Sequence, residues 1–420
     1  MSIPKKQVHI IAGGTLAYID AHLALAAPAY GKTGRDLKQL CVERFPNMDV
    51  QLHLTRMASG GQGTLDTLDD VSMLVDGLVG DYGTKMIFLP LAAVDYQPQR
   101  LVDADGTIVQ ESLGKNAPRV RSRAYPELSL ELAAAQKVLG RIRRERKDIF
   151  AVGFKQTSGV DVDEQYLQGL HLLKGSSANL VLANDRVSGT HMVITPEEAR
   201  YHVTTDRNEA LRGLVEMADL RSQLTFTRST VVAGEPVPWG SELVPENLRS
   251  VVDYCVSRGA YKPFRGVTAG HFAVKVSDHT FLTSRRKTDF NDLAHVGLVR
   301  VETDGPDSVI AYGSRPSVGG QSQRIIFDRN PGLDCIVHFH CPKRAGSLVP
   351  TVSQREYECG SHQCGENTAR GLGHFGGIHA VYLDEHGPNI VFAKHEDPTT
   401  VISFIEENFD LLRKTGGDVM

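Results

Sequence analysis

The sequence predicts an α/β protein of two fused domains, the first a doubly wound, Rossmann-like domain with a mostly parallel sheet. Three observations support this. The chain has 420 residues, which is too long for a single hydrophobic core. Short apolar strands alternate with helical stretches through the first half, as in doubly wound domains. A segment rich in Pro and Gly at 228–245 then precedes a strong amphipathic helix.

Composition narrows the class of protein. The chain is 41% hydrophobic and 23% charged, with a formal net charge of -4, so neither nucleic acid nor an anionic membrane is an expected partner. It has no apolar run of about 18 residues and no signal-peptide pattern, which predicts a cytoplasmic protein without a membrane span. Its six cysteines are too few and too scattered for a disulfide framework.

Predicted strands of the first half lie at 7–12, 50–54, 85–91, 149–154 and 179–183. The first runs directly into Gly13-Gly14-Thr15, and such a glycine turn often brings backbone N–H groups toward a phosphate. A second glycine turn at 31–34 contains a lysine. Neither turn has the full spacing of a dinucleotide fingerprint or a P-loop, so the residues alone leave the ligand open.

Several short motifs of this half occur in a specific order. They are AGGT at 12–15, GKTG at 31–34, AAVDYQP at 92–98, LSLEL at 128–132, VGF at 152–154 and ANDRV at 183–187. In order and spacing this half resembles the phosphopantothenoylcysteine synthetase family, which uses CTP to join a carboxylate to an amine. The resemblance implies CTP, with Mg²⁺, as a ligand. The implied nucleotide-binding residues are Gly13, Gly14, Thr15, Ala92, Asp95, Lys115, Phe154 and Asn184.

Two stretches depart from that family. The asparagine that serves its acyl-nucleotide step is replaced within 26–30, where the sequence reads Ala-Ala-Pro-Ala-Tyr, and a second family stretch is replaced at 135–138. These departures predict that the domain does not make the family's product. It would either bind a nucleotide or phosphorylated ligand, or act only as a scaffold.

The second half contains a histidine pattern typical of metal sites. His338 and His340 lie two apart in a predicted strand at 334–340, so both side chains can point to one face. His386 follows another strand and precedes a glycine. A catalytic zinc site has three protein ligands and one open position. The alternative is that these are ordinary half-buried histidines.

Further motifs surround these histidines. They are the helix at 246–258, the GxTxG turn at 266–270, CIVHFHCP at 335–342, GSxxxxEN at 360–367 and AVYLDEHGPNIVFAK at 380–394. They resemble the class II aldolase/adducin family and imply an α/β/α domain with a central, mainly antiparallel sheet. The resemblance implies Zn²⁺, or another divalent metal, on His338, His340 and His386. It also implies a substrate-phosphate site formed by Gly266, Thr268, Gly270, Ser284 and Ser317. Arg286 follows Ser284 in a basic stretch that would either hold the anionic group or form an exposed loop.

One catalytic residue of that family is missing. Gly319 stands where family aldolases carry the glutamate that moves a proton. The resemblance suggests that a tyrosine or carboxylate after the HxH strand replaces it, with Tyr357 and Glu358 as the candidates. The alternative is that both are surface residues.

These inferences give three segments: a nucleotide-binding domain at 1–228, a linker at 229–242 and a metal domain at 243–420. The expected function is a zinc-dependent lyase of the aldolase type, or an isomerase. It would act on a small phosphorylated or nucleotide-linked hydroxy-carbonyl compound through a metal-stabilised enediolate. The alternatives are a CTP-dependent carboxylate–amine ligase with an accessory aldolase-like domain, and a non-catalytic binding protein. A homo-oligomer, either a dimer or a tetramer, is expected.

Overall fold

A computed structural model describes residues 5–261, 263–264, 266–317 and 321–416. The chain divides into two compact units. The first unit comprises Met1–Val160, Gln168–Val193 and His202–Asp219, and the second comprises Asp161–Leu167, Ile194–Tyr201 and Leu220–Met420. Two short segments of the first half therefore group with the second unit. The predicted domain limits at 228 and 243 stay predictions.

The first half contains thirteen strands and five helices among the described residues. The strands are β1 Gln7–Gly14, β2 Leu16–Tyr18, β3 Ala24–Ala26, β4 Asp49–Leu54, β5 Thr84–Phe88, β6 Leu91–Ala92, β7 Tyr96–Asp103, β8 Ile108–Gln110, β9 Leu128–Ala134, β10 Phe150–Thr157, β11 Leu180–Asp185, β12 His191–Ile194 and β13 Arg200–Thr204. The helices are α1 Lys32–Arg44, α2 Leu68–Gly80, α3 Leu139–Glu145, α4 Val162–Ser176 and α5 Arg207–Ser222.

The main sheet here has the strand order β13-β12-β11-β10-β5-β1-β4, with β6 beside β1. The neighbours β4, β1, β5, β10 and β11 are all parallel. Strands covered on both faces are almost continuously apolar, and β1 is buried along nearly its whole length. The doubly wound parallel sheet is confirmed.

The second half contributes the remaining elements. Its strands are β14 Arg228–Val232, β15 Pro263–Phe264, β16 Val267–Thr268, β17 His271–Lys275, β18 Thr280–Ser284, β19 Leu298–Thr303, β20 Ser308–Tyr312, β21 Cys335–His338, β22 Thr351–Val352, β23 Gly373–Phe375, β24 Ile378–Leu383 and β25 Gly387–Phe392. Its α-helices are α6 Glu246–Ser257, α7 Leu293–Val296, α8 Gln321–Arg329, α9 His362–Gly371 and α10 Pro398–Asn408, and a 3₁₀ turn spans Phe290–Asp292.

The sheet of the second unit has the order β14-β20-β19-β18-β17-β21-β25-β24-β22, with β23 beside β24. Its central pairs are antiparallel, while the pairs β14–β20 and β22–β24 are parallel. The predicted, mainly antiparallel sheet is therefore confirmed.

Alternate residues of its strands enter two separate cores. Val337 packs in the core that contains α6 and α10, whereas its neighbour Ile336 packs in the core that contains α8 and α9. This period of two is what a sheet covered on both faces requires. The layers are therefore α/β/α, as the sequence predicts.

Two element ends differ from the predicted ones. The sequence predicts a last helix at 398–412, but the helix ends at Asn408 because Phe409 is extended and bridges Lys343, so the following tail runs beside 340–344. The strand predicted at 334–340 ends at His338. Among the described residues, no helix has the length and apolarity needed to cross a membrane.

Candidate metal centre

The first histidine of the centre, His338, is the last residue of a buried strand, which holds its backbone in place. His338 closes β21 and is 1% exposed. Its Nδ1 lies 2.7 Å from the carbonyl oxygen of Pro388. A carbonyl only accepts hydrogen bonds, so Nδ1 carries the proton and Nε2 presents its lone pair. This is the state in which a histidine binds a metal.

The other two histidines come from outside the strands. His340 lies two residues past the end of β21, and His386 lies in the turn between β24 and β25. The backbone N–H of His386 donates to Leu383, and Glu385 takes a left-handed conformation with φ 57°. The turn thereby directs the imidazole of His386 toward the end of β21.

The Nε2 atoms of the three histidines meet. Nε2 of His386 is 3.2 Å from Nε2 of His338 and 3.1 Å from Nε2 of His340. Nε2 of His386 carries either one proton or one lone pair, so at most one of these two contacts can be a hydrogen bond, whereas a cation between the three nitrogens would satisfy all of them. Zinc–nitrogen bonds of 2.0–2.1 Å in a tetrahedron put ligand nitrogens about 3.3 Å apart. The spacing fits a divalent metal.

Burial keeps the imidazole rings in the neutral form that binds a metal. Desolvation, followed by the neighbouring imidazoles, lowers the pKa of His338 and of His386 well below the usual value. Both rings are therefore neutral at physiological pH, as metal ligands must be. These three histidines form a group that could hold a metal ion, and we call them the three-histidine group.

Sequence comparison assigns a family to this region. The model of the family "Class II Aldolase and Adducin N-terminal domain" matches residues 254–409. Residues 254–409 are similar to this family's domain. This domain contains the whole three-histidine group, and the resemblance predicted for the second half is confirmed. Together the family and the histidine group indicate an enzyme.

Solved structures resemble the chain only distantly. The DNA/pantothenate metabolism flavoprotein of Streptococcus pneumoniae has a TM-score of 0.40 and 18% identity, covering 50% of this chain and 96% of its own. Cab2 with phosphopantothenate-cysteine has a TM-score of 0.36 and 13% identity, covering 52% and 87%. YgbL of Escherichia coli, named as a candidate aldolase, epimerase or decarboxylase, has a TM-score of 0.28 and 17% identity, covering 39% and 84%. No curated protein matches the chain.

The side chains predicted to bind a substrate phosphate differ in whether the fold already uses them. Thr268 is used structurally, because its hydroxyl donates to the Thr288 carbonyl and accepts from the backbone of Phe290. The Oγ of Ser284 is fully buried and has no hydrogen-bond partner among the described residues. Arg286 is exposed.

The glycines and the last serine of this set lie in turns. Gly266 has φ +74°, and Ser317 lies after the end of β20, as the last described residue of its segment. Gly270 has φ +116°, and a Cβ there would lie 2.6 Å from the carbonyl oxygen of His338. Only glycine lets this turn approach the strand that carries the metal histidine.

The predicted proton-transfer residues lie just before α9. Tyr357 and Glu358 are both half-buried. The backbone N–H of Tyr357 donates to Gln354, and the Glu358 carbonyl accepts from Ser361, which caps α9. Their catalytic role stays a prediction. Gly319 lies outside the described residues.

In the first unit, the glycine loop is closed by its own hydrogen bonds. The N–H of Gly14 donates to Ala29 and that of Thr15 to Ala92, while the Thr15 hydroxyl accepts from Val94. Gly13 has φ +122°, and a Cβ there would lie 2.1 Å from the Thr55 hydroxyl. The N–H groups of Gly14 and Thr15 are thus already used within the chain, and the role of Gly13, Gly14 and Thr15 in nucleotide binding stays a prediction.

The other predicted nucleotide residues lie at strand ends or in loops. Lys115 pairs with Asp66 at 2.9 Å, and Asp95 pairs with Lys137. Phe154 and Asn184 lie on the adjacent strands β10 and β11 and are half-buried. Their role in nucleotide binding stays a prediction.

Two polar neighbours of the three-histidine group were not foreseen. His271 packs against His338 with ring centroids 4.8 Å apart and ring planes tilted by 32°, and burial lowers the pKa of His271 to about 3. Glu198 lies beside His340. His271 could have been found as the strand residue that follows the GxTxG turn. Glu198 is more than 100 residues away in the sequence and has no local signal.

Proposed function

We propose that the second unit is a metal-dependent lyase or isomerase for a small phosphorylated hydroxy-carbonyl compound. The observation that carries the proposal is the meeting of three buried Nε2 atoms at 3.1 and 3.2 Å. His338, His340 and His386 would hold the metal. When bound, a divalent ion on three neutral imidazoles supplies a Lewis acid that polarises a carbonyl.

The backbone of Ser284 lies at the same end of the sheet as that of the metal histidine His338. His338 is paired with His271 across β21 and β17, and Ala273 is paired with Thr283 across β17 and β18. Ser284 therefore lies two strands from His338 at the same end of the sheet. With strands about 4.8 Å apart, this places their backbones roughly 10 Å apart. A short phosphorylated substrate spans that distance.

Positive charge is concentrated near Ser284. Arg285, Arg286 and Arg315 are all exposed, and the two loops that carry them are joined by the hydrogen bond from Arg286 N to Arg315 O. None of the three forms an ion pair with a described residue. Guanidinium groups bind phosphate through paired hydrogen bonds. We propose that Ser284 and these arginines hold the substrate's anionic group.

We propose Tyr357 or Glu358 as the group that moves the substrate proton. Both are half-buried and precede the capped start of α9, so their backbone is held in place. The variants Tyr357→Phe and Glu358→Gln test the two residues separately. Replacing the residue that moves the proton should lower kcat and change KM only slightly.

Metal analysis of the purified protein tests the proposal. One divalent ion per chain is expected, together with cleavage or isomerisation of at least one member of a panel of phosphorylated hydroxy-ketones. His338→Ala should abolish both, whereas His295→Ala, an exposed histidine paired with Asp292, should change neither. A protein that binds no divalent ion, or a His338→Ala variant that keeps full activity, contradicts the proposal.

A further inference from the structure

A buried glutamate from the first half of the sequence lies behind one histidine of the metal group. Oε2 of Glu198 is 3.5 Å from Nδ1 of His340, and their side chains are only 3% and 9% exposed. Both residues belong to the second unit. A carboxylate buried this deeply is costly unless charged or polar partners hold it.

The backbone holds Glu198 in a fixed and unusual conformation. Its φ is 69°, its N–H donates to Thr195, and its carbonyl accepts from the hydroxyl of Tyr166 at 2.6 Å. A left-handed conformation is unfavourable for a residue with a side chain and persists where the surroundings impose it. The turn at 195–199 thus presents the carboxylate at one place.

The C-terminal segment completes this surrounding. Lys414 forms an ion pair with the same Oε2 of Glu198, and its side chain is 1% exposed. The neighbouring N–H of Thr415 donates to the carbonyl of His340 at 3.0 Å. The lysine compensates the buried negative charge, and the same segment holds the backbone of the histidine.

Geometry decides what Glu198 can do. It faces Nδ1 of His340, whereas Nε2 of that ring faces His386 at 3.1 Å. Nδ1 and Nε2 point to opposite sides of an imidazole, so Glu198 lies behind the ligand and away from any substrate. It therefore does not replace the proton-moving glutamate that is missing at Gly319.

We infer that Glu198 is a positioning residue for His340, accepting its Nδ1–H so that the Nε2 lone pair points to the metal. Metal-binding histidines commonly donate their second N–H to a carboxylate or a carbonyl, which fixes the ring and strengthens it as a ligand. His338 has the corresponding partner in the Pro388 carbonyl. The inference rests on the proposed metal function, and it makes the turn at 195–199 part of the metal site.

The test measures Zn²⁺ affinity of the full-length protein in competition with a chromophoric chelator, and the visible spectrum of the Co²⁺ form. Glu198→Met removes the acceptor and should weaken Zn²⁺ binding about 10- to 100-fold and alter the cobalt spectrum. Glu198→Gln keeps an acceptor oxygen and should fall between the wild type and Glu198→Met. Asp384→Asn, an exposed carboxylate in the turn that carries His386, should leave both readouts unchanged.

A second variant separates positioning from folding. Glu198→Met leaves Lys414 as a buried charge without its carboxylate, which destabilises the fold, whereas the double variant Glu198→Met/Lys414→Met removes both charges. The double variant should be folded and still bind Zn²⁺ weakly. If it binds Zn²⁺ as tightly as the wild type with the same cobalt spectrum, the inference is overturned and the metal site stands. If the wild type itself binds no metal, the proposed function fails.

Discussion

The two units treat the polar groups at their strand ends in opposite ways. At the end of β1, the N–H groups of Gly14 and Thr15 and the Thr15 hydroxyl all form hydrogen bonds within the chain. At the end of β21, three buried imidazoles meet nitrogen to nitrogen. The first arrangement is complete by itself, whereas the second would be completed by a bound cation.

The charged side chains at the predicted ligand sites also differ between the two units. In the first unit, the predicted nucleotide residues Lys115 and Asp95 are paired with oppositely charged neighbours. In the second unit, Arg285 and Arg286 are exposed and have no ion pair among the described residues. Side chains that already neutralise one another must give up a partner to bind a ligand. The contrast therefore supports the proposal that the chemistry belongs to the second unit.

Metal removal should give the largest effect. A ligand at about 1,000 times its Kd stabilises the folded state by about 4 kcal/mol, so a strong chelator should lower the Tm of the metal-loaded wild type by several degrees. His386→Ala should already melt at the lower temperature and should not respond to chelator. The measurement is differential scanning calorimetry. A wild type that melts identically with and without chelator would remove the contrast between the units.

Ser284→Ala should weaken substrate binding while sparing the fold. Loss of a hydrogen bond to a charged group costs about 1.5–3 kcal/mol, so KM should rise roughly 10- to 100-fold. Because the Ser284 hydroxyl is buried without a described partner, urea unfolding should show unchanged or higher stability. The control is the adjacent Thr283→Val, whose hydroxyl donates to Phe272. Thr283→Val should lose stability and keep the KM of the wild type. If Ser284→Ala keeps the wild-type KM while Thr283→Val raises it, Ser284 does not belong to the anion site.

Thr15→Val removes a buried hydroxyl of the first unit. In contrast to Ser284→Ala, it should lower stability and leave catalysis unchanged. It leaves the buried N–H of Val94 without its acceptor, which costs about 1–3 kcal/mol. Urea unfolding should therefore show a loss of stability, and turnover by the second unit should not change. A Thr15→Val protein of wild-type stability would mean that the hydrogen bonds of the glycine loop contribute little.

Nucleotide binding should give the smallest effect. If CTP with Mg²⁺ binds through the side chains of Lys115 and Asp95, a concentration of ten times its Kd adds about 1.4 kcal/mol. Thermal shift should detect an increase of a few degrees with CTP, and Lys115→Met should reduce it. No shift with CTP or ATP would make the first unit a scaffold and would make the contrast complete.

The sequence predicted the fold and the three-histidine group because both have local signals. The apolar run of β1 followed by glycine, and the capped amphipathic helix α6 with Gly259 in the left-handed conformation, follow directly from periodicity and turn chemistry. His338 and His386 could be found because each stands at a strand end. The pairing that closes the loop at Gly14 could not be foreseen, because Ala29 lies in another turn.

Glu198 illustrates the limit more clearly. It meets His340 through a tertiary contact between segments far apart in the sequence. No spacing rule connects a turn after β12 with a strand end in the second half. The end of α10 could not be predicted from the sequence for a similar reason, because Phe409 leaves the helix and pairs with Lys343. Tertiary contacts override local propensity at these positions.

The central claim is that a divalent metal binds the three-histidine group. Anomalous diffraction from crystals of the protein as purified, recorded at the absorption edge of the metal it contains, tests this most directly. We expect one peak per chain, about 2.1 Å from Nε2 of each of His338, His340 and His386. Crystals of metal-containing protein with the peak elsewhere, and with no peak between these histidines, would contradict the account.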